Sequence, residues 1–177
     1  CLVCQLLLEE DSERRFAAVD KNLRSLDRFF AFYLPDGGCD EGPSYWGRAG
    51  ASLFDCLELL HSSSGGRIDL YREPLVRRIG EYIYKVYIKD DSYLNFADAP
   101  ARLNPEAGLV YLYGRRVGDS TLTGFGAFLA RKQSLGETFP AGRAGSPGRL
   151  LRDLFLIGDI ATATPLEPFL GEAWFPD

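Results

Sequence analysis

The chain of 177 residues contains one histidine, His61, and no methionine. The scarcity of histidine removes much of the chemistry that leans on imidazole. A Ser-His-Asp or Cys-His arrangement needs a histidine beside its nucleophile. His61 instead falls in the last turn of a helix-patterned segment, where a basic ring complements the helix dipole. Zinc needs four converging ligands, and His61 with four cysteines and no second CxxC does not supply that pattern. No metal and no cofactor are expected. Phosphate-cradling loops are missing as well, since neither GxxxxGKS/T nor GxGxxG after a strand occurs.

Long hydrophobic runs are also lacking. No stretch reaches the roughly 18 apolar residues that a membrane-spanning helix needs, so no membrane contact is expected. No basic stretch followed by an apolar core marks a secretion signal. The chain opens on Cys1, within the helix-patterned CLVCQLLLEE, which suggests a fragment whose original N-terminus, and any signal with it, has been lost. Cys1 and Cys4 share a helix face, and Cys56 sits in an apolar stripe, where a thiol packs as a small hydrophobe. Reduced thiols are thus expected for Cys1, Cys4, Cys39 and Cys56. For a bacterial-type protein that favours the cytoplasm over the periplasm and otherwise leaves the compartment open. The net charge of −5 gives no reason to expect nucleic acid. It also weighs mildly against an acidic polymer unless a local basic cleft overrides it.

What is present is helical rhythm. With 46% hydrophobic and 25% charged residues, the chain fits one globular domain, residues 1–177. Phe16, Val19, Leu23, Leu26, Phe30 and Tyr33 recur at steps of three and four and predict one buried stripe. Asp11 or Ser12 caps this helix, and Pro35 with Gly37 ends it. Ala49, Leu53, Leu57 and Leu60 mark a second helix that stops in HSSSGG. Glu73-Pro74 opens a third, burying Leu75, Ile79, Tyr82 and Val86, with Pro at the first helical position. Asn104-Pro105-Glu106 opens a fourth by the same device, ending at Gly118. Asp119 caps a fifth, and after the loop GETFPAGRAGSPG a sixth runs from Ser146-Pro147 to near Ile157. A short extended piece is predicted around Tyr93, Leu94 and Phe96. The predicted class is all-α, built of helical hairpins in the manner of an α/α solenoid or toroid.

One connection is too rich for its task. PDGGCDEGPSYW, residues 35–46, holds three acids and three glycines and ends in a Tyr-Trp pair. Asp36, Asp40 and Glu41 either cap turns and complement a helix dipole or pair as general acid and base across a sugar ring. Tyr45 opens a helix beside glycines and proline, placed to line a cleft or to pack between helices. As a base it needs a cation, since its ordinary pKa lies near ~10, and Arg48 is within i,i+3 reach. Trp46 either stacks on a sugar or joins the core. Asn95 and Asp98 in NFADAP hydrogen-bond a sugar or close their own turn, the turn being favoured.

The stretch PDGGCDEGPSYWGRAG, followed by LFDCLELL, IGEYIYKVYI and YLNFADAP, resembles the α/α-toroid domain of heparinase II/III-like proteins, related to oligoalginate and heparin lyases. DGGxDEGPSYW is the most specific element, and the resemblance covers nearly the whole chain. It implies an incomplete toroid of helical hairpins without the β-sandwich domain that normally follows. It implies cleavage of uronate-containing polysaccharide by β-elimination, with an acidic oligo- or polysaccharide as partner. By motif, Tyr45 is the expected catalytic base and acid, Arg48 its helper, Trp46 a stacking platform, and Glu41, Asp40 and Asn95 substrate contacts.

Two departures matter. The family places an Asn or His group upstream of this run and another histidine in the later domain, and His61 matches neither. The fragment alone is therefore expected to be inactive, and the cut edge of the toroid to invite self-association. Two alternatives stand beside the lyase. One is a glycoside hydrolase using Asp36 with Asp40 or Glu41. The other is a non-catalytic helical domain that binds glycan or protein.

Overall fold

A computed structural model describes residues 2–135 and 146–172. Its helices are α1 (Leu2–Leu7), α2 (Ser12–Phe32), α3 (Pro43–Trp46), α4 (Ala49–Ser63), α5 (Pro74–Lys85), α6 (Ala107–Val117), α7 (Ser120–Lys132) and α8 (Pro147–Thr162). Two short antiparallel strands, β1 (Tyr87–Lys89) and β2 (Ser92–Tyr93), follow α5. The described part of the chain is mainly helical, as the periodicity predicts. The loop GETFPAGRAGSPG lies for the most part outside the described residues, as does Cys1.

The helix boundaries follow local chemistry. Asp11 caps α2 by accepting the Arg14 amide at 2.9 Å, and Asp119 caps α7 through the Leu122 amide at 2.9 Å. Gly118 ends α6 in the left-handed region, φ +69°, the usual conformation of a glycine past a helix end. Pro74 occupies the first turn of α5, but Pro105 lies outside α6, whose N-cap is Glu106. Helix α8 runs to Thr162, past the predicted end at Ile157: Gly158 is carried inside the helix, which stops only at the bend at Ala163, ahead of Pro165.

Helices α6 and α7 form an antiparallel hairpin on a two-residue connection. Glycines let their backbones touch: a Cβ on Gly126 would stand 2.3 Å from the Tyr111 nitrogen, and one on Gly114 2.4 Å from that of Thr123. Around this hairpin lies an aromatic core. Tyr113 stacks on Phe54 at 4.6 Å between ring centroids and on Trp46 at 6.3 Å. Its hydroxyl donates to the Val76 carbonyl at 2.7 Å, while the Trp46 indole donates to the Ile79 carbonyl at 2.7 Å. Both acceptors belong to α5, which is thereby fixed against α3, α4 and α6.

Helix α2 departs from expectation. Its stripe does not enter the core: none of its residues is fully buried, and Phe16 is 77% exposed. Leu26, Phe30 and Tyr33 only lean on the core from outside. The periodicity is real, but the face it defines is only partly covered among the described residues.

Charge holds α8 in place. Arg149 binds Asp55 at 2.6 Å and Glu106 at 2.8 Å, and Arg152 reaches Asp55 at 3.1 Å and Asp153 at 3.6 Å. Three carboxylates thus share two guanidinium groups. Asp153 is only 7% exposed and presses on Gly108, and its Oδ1 accepts no hydrogen bond among the described residues. Burial pushes its pKa up, with Arg152 opposing and Glu106 reinforcing the shift. The folded state keeps this proton at pH values where the unfolded chain has released it, so stability falls as pH rises through the folded value. Wild type should lose stability relative to Asp153→Asn as pH climbs above the ordinary aspartate value of about 4. Urea midpoints over a pH series measure this, and parallel curves for the two proteins would refute it.

Candidate functional site

A groove of about 550 Å³ runs between α2 and the loop 38–41. One wall is a single face of α2, where Ser25, Arg28, Phe29 and Phe32 recur at helical spacing and lead into Tyr33. The other wall is the stretch Gly38, Cys39, Asp40 and Glu41, so the motif-bearing loop does border a cavity.

Three glycine-rich contacts shape that loop. The Asp36 carboxylate accepts the Gly38 amide at 2.7 Å, closing an Asx turn. Gly37, at φ +81°, lies against the α5 backbone, where a Cβ would stand 2.3 Å from the Arg78 carbonyl carbon. Gly42, at φ +95°, lies against the turn 96–99, where a Cβ would stand 2.6 Å from the Phe96 oxygen. Two segments distant in sequence, DGGCDEG and NFADAP, are thus locked together. Their junction borders a second cavity of about 210 Å³, lined by Asp36, Asp40, Tyr82, Leu94 and Phe96.

The site residues expected from sequence fare unequally. Asp40 and Glu41 are exposed on the groove wall, and neither carboxylate accepts a hydrogen bond or ion pair among the described residues. Tyr45 sits half-buried in α3 and leans on the core, yet lines none of the described cavities, contrary to the expectation that it faces one. Its hydroxyl has no partner among the described residues, unlike those of Tyr71, Tyr82, Tyr87 and Tyr113. Arg48 is exposed at the N-cap of α4. It meets Tyr45 only through its own amide, which donates to the Tyr45 carbonyl at 2.9 Å, and no side-chain contact assists the phenol.

Trp46 requires correction. It is 1% exposed, and its indole nitrogen is used by α5, so it cannot serve as a sugar platform. Gly50 makes the burial possible, since a Cβ there would stand 2.7 Å from the indole nitrogen. Asn95 is exposed, just ahead of the turn that the Ala99 amide closes onto the Phe96 carbonyl at 3.1 Å, and it lines none of the described cavities. Neither its side chain nor that of Asp98 makes a hydrogen bond among the described residues, to that turn or to any other group. His61 packs its ring against Tyr71 at 5.8 Å between centroids, away from the groove.

Sequence reasoning missed Arg28, Phe29, Phe32 and Tyr33 as wall residues. The stripe from Phe16 to Tyr33 predicts burial, whereas Ser25, Arg28, Phe29 and Phe32 lie on the adjoining face, which meets it at Tyr33 in the groove. Burial pushes the Tyr33 hydroxyl well above its ordinary range, with Cys39, Tyr82, Asp40 and Asp36 adding to it. It stays protonated, shielded from solvent and without a hydrogen-bond partner among the described residues. Cys39 and Cys56 are free thiols, and no group of three or more potential metal ligands gathers among the described residues.

The two glycines carry a stability prediction. Gly37→Ala and Gly42→Ala each force a side chain into backbone at positive φ and should destabilise the fold by about 1–3 kcal/mol. Denaturant midpoints test this, against Gly65→Ala as a control for positive φ in open space. Equal effects at all three positions would mean that the loop does not dock as described.

Comparison with protein-family models gives no match to the chain, and comparison with curated proteins gives none either.

Proposed function

We propose that the chain supplies one wall of a polysaccharide-lyase site that cleaves uronate-containing glycans by β-elimination, in the manner of the heparinase II/III-like proteins its motif resembles. In this reading Tyr45 takes the proton from the carbon beside the uronate carboxylate and returns a proton to the departing glycosidic oxygen. The observation that carries it is an uncommitted motif tyrosine, with its hydroxyl unpartnered among the described residues, set on the helix that follows a rigidly anchored groove wall. A proton shuttle needs a hydroxyl that no structural hydrogen bond holds. Elimination also needs the uronate charge neutralised, because carbanion character would otherwise add to an existing negative charge. In the family that the motif resembles an Asn or His group does this, and His61, which packs on Tyr71, is not placed for it.

A second reading rests on a specific observation. Asp36 and Asp40 border the same 210 Å³ cavity beside Phe96, an arrangement open to acid and base hydrolysis. It is weakened because Asp36 already holds the Gly38 amide.

The test compares the full-length protein, as wild type and Tyr45→Phe, on alginate, heparan, hyaluronan and chondroitin oligosaccharides. Ultraviolet absorbance of the new carbon–carbon double bond is followed alongside reducing ends. The lyase reading expects absorbance from wild type and at least a hundredfold loss in Tyr45→Phe, on the order of the contribution of a positioned proton donor. Reducing ends without absorbance would instead assign the Asp36 and Asp40 cavity.

A further inference from the structure

A separate pocket of about 150 Å³ lies where α3 and the start of α4 meet the segment 103–106 and α6. It shares no lining residue with the groove or with the cavity beside Phe96. Trp46, Ile83, Leu103 and Leu109 give it apolar walls, and Ser44 and Glu106 stand among them. Its shape is held from two sides. Arg149 donates to the Gly47 carbonyl at 3.3 Å and to Glu106 Oε1 at 2.8 Å, tying two parts of the lining together. Gln133 donates to Asn104 Oδ1 at 2.7 Å and to the Pro105 carbonyl at 2.8 Å, which fixes the segment 103–106. A pocket so tied is formed before any ligand arrives.

Two oxygens of the lining side chains are left over. Ser44 Oγ and Glu106 Oε2 are shielded from solvent and have no hydrogen-bond partner among the described residues. An oxygen kept from both water and a donor is destabilising, so such atoms are rare unless something completes them. Charge constrains what does so. An ionised carboxylate only accepts, so the missing group must donate. The guanidinium bound to this lining, that of Arg149, is already taken by Asp55, Glu106 and Gly47, which leaves an anion without a partner there. A water molecule meets the polar end and leaves the apolar walls without contact. An alcohol brings one donor for two oxygens. An ammonium brings three donors and a positive charge to the carboxylate. The volume bounds the rest of the ligand: a cavity of about 150 Å³ takes a molecule the size of benzene, about six non-hydrogen atoms.

We infer that this pocket binds a small primary alkylamine, its ammonium donating to Glu106 Oε2 and Ser44 Oγ and its alkyl end lying among Trp46, Ile83, Leu103 and Leu109. Ser44 and Glu106 are half-buried as residues, which leaves their side chains room to admit the ligand. Ser44 and Trp46 flank Tyr45 on α3, so the amine sits against the motif helix. The site goes beyond the lyase reading and does not depend on it.

The test titrates the isotope-labelled chain at neutral pH with isoamylamine, isoamyl alcohol and isovalerate, following amide and indole N–H resonances by NMR. The amine is charged under these conditions, as a lysine side chain is. Trp46 reports directly, because its ring lines the pocket while its indole N–H is fixed on the Ile79 carbonyl. Isoamylamine should give saturable shifts at Ser44, Trp46 and Glu106, the alcohol should bind about tenfold more weakly, and isovalerate should give none. Ser44→Ala should weaken the amine about tenfold, as for loss of a hydrogen bond to a charged group. Its urea midpoint should be no lower than that of wild type, since the hydroxyl has no partner among the described residues. Glu106→Gln, which keeps an oxygen for Arg149, should bring the amine down to the affinity of the alcohol. Equal affinity of wild type for amine and alcohol would reduce the pocket to an apolar cavity and overturn the assignment. So would tighter binding of isovalerate, or amine saturation that Ser44→Ala leaves unchanged. The absence of a saturable shift with any of the three would leave the two oxygens to water and overturn it as well. If Glu106→Gln does not fold, Ser44→Ala and the three probes decide the matter. Binding is read here with Tyr45 intact and without turnover, so this result and that of the lyase test are independent.

Discussion

The described fold depends on two hydrogen bonds between aromatic side chains and the backbone of one helix. The Trp46 indole and the Tyr113 hydroxyl reach the carbonyls of Ile79 and Val76 on α5. Each belongs to a large ring that brings apolar surface into the core while its polar atom finds an acceptor. Because Trp46 comes from α3 and Tyr113 from α6, the pair positions three helices at once. Gly50 and Gly80 are the matching absences. A Cβ on Gly80 would stand 2.7 Å from the Tyr113 ring, so neither ring fits unless these residues are glycine.

The groove inherits its rigidity from that core. Trp46 ends the motif stretch, and once its ring is held by α5 the preceding residues have little freedom. Gly37 is pressed on the same helix at Arg78 and Ile79, next to the carbonyl that the indole uses. Between these anchors the chain folds through a tight turn, the Gly42 amide donating to the Cys39 carbonyl at 2.9 Å, which leaves Asp40 and Glu41 exposed. The residue of the motif that looked most suited to carbohydrate, Trp46, is thus the structural bolt. The polar residues beside it are the ones left for a ligand.

Helix α8 is attached by different physics. Where α5 is held by neutral hydrogen bonds inside an aromatic core, α8 is held by a cluster with one more carboxylate than guanidinium groups. Removing a partner from such a cluster strands a buried charge, which is why its energetics turn on protonation of Asp153 and not on the number of ion pairs. Past its end the chain straps back over α7, where the Leu166 amide donates to the Gly124 carbonyl at 2.9 Å and Tyr87 meets Glu167.

The sequence by itself determined the longer helices and their order, and the Asp11 and Asp119 caps, because 3.6-residue periodicity and polar capping groups at helix ends act over a few residues. It also singled out residues 35–46 as richer than a connection needs, and part of that stretch borders two cavities. The tertiary structure alone decided which residues face the groove. Trp46 and Tyr45 are neighbours in the chain, yet one is sealed in the core by an acceptor 33 residues away and the other is not. Arg28 and Phe32 carry no local mark of function. They become wall residues only because α2 lies beside the anchored loop with one apolar face partly uncovered. Periodicity says that a helix has faces, but which face meets solvent, core or ligand is set by what packs against it, and that information is long-range.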